Sequence, residues 1–393
     1  MKQAQTHEEI KLLIGMCKTG RLFDVQGWIS AGKPVNPPPP PPKKTRRKSP
    51  LQVAIDCGFH SLVEVLLEAG AAIQEDRYNP LKHAVYERRL DLVQLLVKYG
   101  ADIHSVDMRS VFESREPQIM EYFIEQGADV ETDNPLAFAY CERIQSALGV
   151  FKRHENRFAS FREQVNIALR HQCWAGNLKW VSLMLWAGAD PYSRGPHSPD
   201  EDPDPDEDHN ALELAALRGH REVFDIKKIG LDPSHPDAHG ILRYACHNDT
   251  TDLVEDLLKR GFDPNDQENR GSSLINIVLW GMTWNPDLFG EGRTKNIDTE
   301  RAMDKLAMLH VLAEHGAKWI PKDRKDMNEA RGSLLRMRPK YTLEFVKIMS
   351  QFEACTRKNV EDLTRTPAIR RLVSDHLPRI NNLAKKLPSG MAP

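Results

Sequence analysis

The residues that could carry catalysis or hold a metal or phosphate each lack a part that the chemistry requires. Gly27-Trp28-Ile29-Ser30-Ala31-Gly32-Lys33 follows the first seven positions of a phosphate-cradling P-loop. The eighth is Pro34, which has no hydroxyl for magnesium, and the glycines fall in a helical pattern and its cap instead of a strand-to-helix loop. His235 and His239 have i, i+4 spacing, but Pro233 and Pro236 break any helix that would align them as metal ligands. His310 and His315 are five apart and share a helical face poorly. Segment 200–208 carries seven acids in nine residues, and counting Asp202 as position 1 places Asp204, Asp206, Asp208, Asn210 and Glu213 in the ligand order of an EF-hand. Position 6 is Glu207 where the sharp turn needs glycine, and Pro203 and Pro205 stiffen the run, so it reads as a solvated acidic loop. No GxSxG or HExxH occurs, nor a GxGxxG between strand and helix. The expectation is a protein that is not an enzyme, with no cofactor, metal or small-molecule substrate.

Composition narrows the remaining classes. Of 393 residues, 40% are hydrophobic and 28% charged, which suits a folded chain with a sizeable core. The 54 Lys and Arg nearly balance the 56 Asp and Glu, so no overall attraction to nucleic acid or anionic membrane is expected. The balance hides a split, because residues 317–393 hold 17 basic and 8 acidic residues. No apolar run reaches membrane-spanning length, and residues 1–10 are too polar for a signal peptide's core, so an intracellular, cytoplasmic protein is expected. The six cysteines (Cys17, Cys57, Cys141, Cys173, Cys246, Cys355) form no CxxC pair and read as reduced, packed thiols.

The elements that must position any binding residues come from a repeated phrase: a small or polar residue, often followed by Pro, then Leu, an apolar run of helical spacing, and Gly-Ala-Asp. Ser49-Pro50-Leu51 leads to Gly70-Ala71, and Asn79-Pro80-Leu81 to Gly100-Ala101-Asp102. Further closings stand at Gly127, Gly188, Gly230, Gly261 and Gly316, with an earlier one at Gly32, separated by 38, 30, 27, 61, 42, 31 and 55 residues. The gap of 61 contains Asn134-Pro135-Leu136, an opening whose closing glycine is lost, so about nine units are expected, followed by a helical pair from about Asp326. In the unit from Asn79, Leu81, Ala84 and Val85 stripe one helix and Leu92, Val93, Leu95 and Leu96 the next. Pro80 suits a first helical turn and Gly100 a left-handed C-terminal cap.

This pattern resembles the ankyrin-repeat family, whose unit of about 33 residues is a turn and two antiparallel helices with the signature T-P-L-H-x-A. The resemblance extends over nearly the whole chain and is most specific in 49–71 and 79–102. It implies an all-α fold: an ankyrin-type α-solenoid of about nine helix-pair repeats with loop insertions and a C-terminal helical cap. The signature histidine is replaced by Gln52, Lys82, Ala137, Glu213, Arg243 and Ile275, so each turn is expected to be tied more weakly than in a consensus unit.

The organisation expected is a first helix pair with a proline-rich, basic insertion (1–48), ankyrin-like repeats (49–193) and an acidic Pro/Asp loop (194–209). Further repeats (210–325) with an aromatic insertion at 282–299 follow, then a C-terminal helical pair, basic cap and tail (326–393). Pro37 to Pro42 and the basic run Lys43, Lys44, Arg46, Arg47 and Lys48 read as a stiff polyproline spacer, with an SH3-type ligand (Pro38, Pro41, Lys43) or nuclear targeting as sharper alternatives. Trp284 and Phe289 in the aromatic insertion read as folding back on the array, with a partner patch as the alternative.

Ankyrin-like units bind other proteins through turn tips and outward positions of the first helix. Mapped by that resemblance, the candidate partner contacts are Arg46, Lys48, Tyr78, Tyr86, Glu87, Glu142, Trp174, His239, Arg243, His247 and Trp280. A non-enzymatic interaction protein that binds a partner macromolecule on its concave face is therefore the leading expectation, the partner being another protein. One alternative is a nucleic-acid-associated protein using Arg357, Lys358, Arg365, Arg370, Arg371, Arg379, Lys385 and Lys386 against phosphates. Another is an inhibitor or immunity-type partner of an enzyme.

Overall fold

The computed structural model describes residues 3–39, 48–73, 78–201, 208–248, 250–265, 273–283, 299–319 and 324–389. They form two compact units, one of residues 1–168 with 187–189 and 198–201, the other of 169–186, 190–197 and 202–393. Helices account for the regular structure, and among the described residues pairing between extended segments is limited to isolated bridges such as Gln3 with Asn36.

The first unit is a stack of helix pairs: α1 (His7–Lys18) with α2 (Leu22–Ser30), α3 (Pro50–Asp56) with α4 (His60–Glu68), and α5 (Pro80–Tyr86) with α6 (Leu90–Lys98). After them come α7 (Met108–Glu113) with α8 (Pro117–Glu125), and α9 (Pro135–Cys141) with α10 (Ala147–His154). First helices pack on the next first helix, α1 on α3 on α5 on α7 on α9, and second helices likewise from α2 to α10. The expected stripes carry this packing. Leu81, Ala84 and Val85 of α5 and Leu92, Val93, Leu95 and Leu96 of α6 are all buried, each large one stabilising the stack by about 1.5–3 kcal/mol.

The polar residue that opens each unit is a helix cap. Ser49 accepts from Gln52 N, Asn79 from Lys82 N, Asp107 from Ser110 N and Asn210 from Glu213 N, so each occupies one of the amides that a helix start leaves bare. Asn134 sits instead at φ 48°, in the left-handed region, and caps nothing with its side chain. Gln164 supplies the missing bonds, accepting from Leu136 N at 2.8 Å and donating to Val130 O at 2.9 Å. The aspartate that closes the phrase has an equally local role. Asp102, Asp129, Asp190, Asp232 and Asp263 each accept from the amide two residues on, at 2.8–3.0 Å, and so shape the turn into the next unit. Gly100, at φ 95°, takes the left-handed cap expected of it.

Helix α11 (Ser160–Trp174) begins in the first unit and ends in the second. The second unit continues with α12 (Leu178–Trp186), α13 (Ala211–Arg218), α14 (His239–His247) with α15 (Thr251–Lys259), α16 (Leu274–Thr283) with α17 (Thr299–Glu314), and α18 (Arg324–Arg336) with α19 (Pro339–Gln351). First helices again stack, α13 on α14 on α16 on α18. Three short helices, α20 (Arg357–Leu363), α21 (Pro367–Leu372) and α22 (Leu377–Lys385), pack on the last pair.

One repeat departs from the expected pair. Where a second helix should follow α13, two 3₁₀ turns, Arg221–Asp225 and Lys227–Ile229, stand with the extended Ile226 between them. Arg260 of α15 donates to Phe224 O at 2.8 Å and to Asp225 Oδ1 at 2.6 Å, taking the carbonyl that another helical turn would have used. Val223, Phe224 and Ile229 are still buried, so the turns fill the helix's place in the core.

Candidate binding surface

The residues first considered for chemistry have structural work. Gly27 lies within α2, Gly32 takes φ 66° after it, and Lys33 Nζ lies 4.5 Å over the Trp28 ring. His235 stacks on Tyr192 with ring centroids 3.9 Å apart and accepts from Asp237 N. His315 Nδ1 meets Val311 O at 2.9 Å. Of the EF-hand count, Asp202, Asp204, Asp206 and Glu207 lie outside the described residues, while Asn210 and Glu213 close a capping box on α13. Glu213 also receives Arg194 Nη2 at 2.6 Å and is 1% exposed. Among the described residues no group of three His, Cys, Asp or Glu side chains could hold a metal ion.

In the first unit, Arg46 lies outside the described residues. Lys48 pairs with Asp56 at 2.6 Å, and His83 Nε2 approaches the same carboxylate at 2.8 Å. The half-buried Tyr78 ring lies 5.7 Å from that of His83, which ties Lys48, Asp56, His83 and Tyr78 into one cluster across α3 and α5. Lys48 also edges a cleft of about 720 Å³ with His7, Lys11, Lys18, Val53 and Cys57. Tyr86 is 78% exposed on the last turn of α5, with Glu87 exposed beside it and Glu142 exposed at the end of α9.

In the second unit the candidates converge. Trp174, His247 and Trp280 stand on the last turns of α11, α14 and α16. Arg218 ends α13 and lays its guanidinium 4.8 Å from the Trp174 ring centroid, a cation–π contact. His197 lies 5.6 Å from the same ring and His171 6.3 Å, while His220 Nε2 meets Trp174 O at 3.1 Å. His247 and Trp280 are 6.0 Å apart, ring to ring, and Trp280 is 38% exposed. Arg243 is half-buried midway along α14, and His209 lies 5.0 Å from Tyr244 on the same helix. His239, at the start of α14, lines a cleft of about 270 Å³ with Asp232, Ser234, Arg260, Phe262 and Asp263.

Sequence reasoning passed over Arg218, which the same register would have found. Glu87 and Glu142 precede left-handed residues, Arg88 at φ 58° and Arg143 at φ 58°, and Arg218 precedes Gly219 at φ 73°. His197 and His209 belong to the connection between α12 and α13, and no helical register marks them.

A family model described as ankyrin repeats, three copies, matches residues 5–107. Over this stretch the chain is made of ankyrin repeats. Beyond the match, the described residues continue mostly in helix pairs, with first helices stacked in the same way within each unit. A comparison with curated proteins finds no match. Among solved structures, the crystal structure of the human ASB11 ankyrin repeat domain is similar at 18% identity, covering 59% of this chain and 96% of that one, with a TM-score of 0.39. Ankyrin repeats generally mediate protein–protein interaction and are typically non-enzymatic. Among the described residues, no helix is long and apolar enough to cross a membrane.

Proposed function

We propose that the chain is a non-enzymatic interaction protein that binds another protein through the face formed by its first helices, the concave face in ankyrin arrays. The observation that carries this reading is the row of Trp174, Arg218, His247 and Trp280 at the ends of four successive first helices of the second unit. Trp and Arg are the side chains that dominate interface energetics, since a large ring or planar guanidinium gains much contact for little lost freedom. Within the first unit, Tyr86, Glu87 and Glu142 hold the corresponding helix-end positions, and Lys48, Tyr78, His239 and Arg243 are contacts of second rank because each is partly engaged or half-buried. The test is affinity purification of a partner followed by truncation of Tyr86, Trp174 and Trp280 to Ala. At least one truncation is expected to cost about 2 kcal/mol or more, the hot-spot scale. Unchanged affinity in all three would overturn the reading.

A second reading is favoured by the exposure of Arg370 and Arg371 on α21, Arg379 and Lys385 on α22 and Lys386 just after it, none of which makes an ion pair among the described residues. These side chains are free to meet phosphates. If they do, affinity for duplex DNA falls with log salt by about 0.9 per phosphate neutralised, and Arg370→Glu with Arg371→Glu abolishes binding.

A further inference from the structure

The row of helix ends in the second unit has one sign of charge. Helices α13, α14 and α16 contain a single carboxylate between them, Glu213, and it is buried against Arg194 and the Asn210 amide. The part of α11 in this unit, residues 169–174, has none. Against that absence stand Arg218 and Arg243, joined by His171, His239 and His247.

The two arginines differ from others in the unit. Arg194 meets Glu213 and Asp237, and Arg260 meets Asp225 and Asp256. Arg218 and Arg243 have no carboxylate partner among the described residues. Arg218 is exposed, and its guanidinium is held over the Trp174 ring, which restricts it and leaves N–H groups to donate to a ligand. A guanidinium positioned in this way has lost part of its freedom already, so a carboxylate can bind it in two-pronged fashion at a smaller entropic cost. The aspartates on the bordering turns are engaged internally: Asp232 with Ser234, Asp237 with Arg194 and Asp263 with Asn265. The carboxylates of α15 are engaged as well: Asp252 with Arg221, Glu255 with Lys259 and Asp256 with Arg260.

We propose that the first-helix face of the second unit, from Trp174 to Trp280, docks an acidic segment of a partner protein, with Arg218 and Arg243 gripping its carboxylates. The proposal rests on the protein-binding reading above and adds the partner's chemistry. Charge complementarity selects this occupant: on this face an acidic segment meets two arginines that have no carboxylate partner among the described residues, on helices whose single carboxylate is buried.

The experiment measures binding of a fluorescein-labelled peptide of alternating Glu and apolar residues to the full chain at low salt. Its comparators are the Gln-substituted peptide, the Lys-substituted peptide and an oligothymidylate of equal charge. The acidic peptide is expected to bind at least tenfold more tightly than the Gln and Lys peptides. Arg218→Gln and Arg243→Gln should each weaken it by about tenfold, and Arg218→Lys should recover only part, because an ammonium cannot reproduce the fork. Lys259→Gln should change nothing, and melting curves of each variant confirm folding. Absence of acidic-peptide binding, or binding indifferent to Arg218 and Arg243, overturns the proposal, and so does equal binding of the oligothymidylate lost in the same variants. If the Gln or Lys peptide binds as tightly and is lost on Trp174→Ala or Trp280→Ala, the acidic preference fails while the protein-binding reading survives.

Discussion

Asn36 and Asn265 make the same pair of hydrogen bonds in different units. Asn36 Oδ1 accepts from Ala72 N at 2.7 Å and its Nδ2 donates to Gly70 O at 2.9 Å, while Asn265 does the same with Lys318 N at 2.7 Å and Gly316 O at 3.0 Å. Each amide spans from the turn after one repeat to the closing Gly-Ala of the next. Each side chain satisfies one donor and one acceptor of a turn at once.

Asn36 is buried, so its replacement by Ala leaves the Ala72 amide and Gly70 carbonyl unpaired. Asn36→Ala is expected to lower stability by about 1–3 kcal/mol in urea titration. Asn36→Asp keeps the acceptor for Ala72 N but sets a carboxylate against a carbonyl, and should fare no better than Ala. A wild-type midpoint for either variant would show that the bridge contributes nothing.

Gly240 marks a close approach of α13 and α14. A Cβ there would lie 1.8 Å from Glu213 Oε1 and 2.7 Å from its Cδ, and Glu213 cannot withdraw without leaving Arg194 and the Asn210 amide. Gly240→Ala should therefore cost about 1–3 kcal/mol, the usual penalty of overpacking. With Glu213→Ala the clash disappears, so the double variant should be less destabilised than the sum of the two single ones. Strict additivity in thermal denaturation would count against this contact.

The legible part of this fold was its punctuation. Pro50, Pro80 and Pro135 start helices and Gly70, Gly100 and Gly127 end them because proline and glycine act through their own backbone dihedrals, which need no partner. The closing aspartates were visible as a pattern, and their bonds to the amide two residues on explain it. Partnerships across repeats were not legible. Nothing near Asn36 in sequence marks Gly70 as its partner, and nothing near Phe224 shows that Arg260 will take its carbonyl in place of a helical turn. At the candidate surface, Trp174, His247 and Trp280 followed from helical register, whereas His197 reaches the Trp174 ring from a loop.

The six free thiols should separate by reactivity. Burial pushes Cys17, Cys141 and Cys355 up to about 12 and raises Cys173 further still. At pH 8 a thiol with such a value is ionised in only about one molecule in ten thousand, and the thiolate is the attacking form. Cys57 is exposed at the end of α3. One rapid labelling event per folded chain is expected with a maleimide or disulfide reagent, removed by Cys57→Ser, and labelling of the others should appear with unfolding. Several fast sites in the native protein would contradict the packing described for α1, α9 and α11.

Acid should weaken the protein over a narrow range, set by turn carboxylates. The Arg89 guanidinium, donating to Asp91 at 2.8 and 2.7 Å, holds that carboxyl below its usual value. The Thr132 side chain and the Thr132 and Glu131 amides do the same for Asp129, and the Ser234 hydroxyl and amide for Asp232. A folded-state value below the unfolded one means that the native chain binds its protons later. The stabilisation is present above the unfolded carboxylate value, about 3.9, and is lost as pH falls through the folded values. Urea midpoints should therefore be insensitive to these three groups between pH 7 and about pH 5, and decline below about pH 4. Asp91→Asn, Asp129→Asn and Asp232→Asn should each make the acid limb shallower while lowering the neutral plateau, because the amide keeps part of the hydrogen bonding but not the charge. An acid limb equally steep in all three variants would mean that other carboxylates govern acid unfolding.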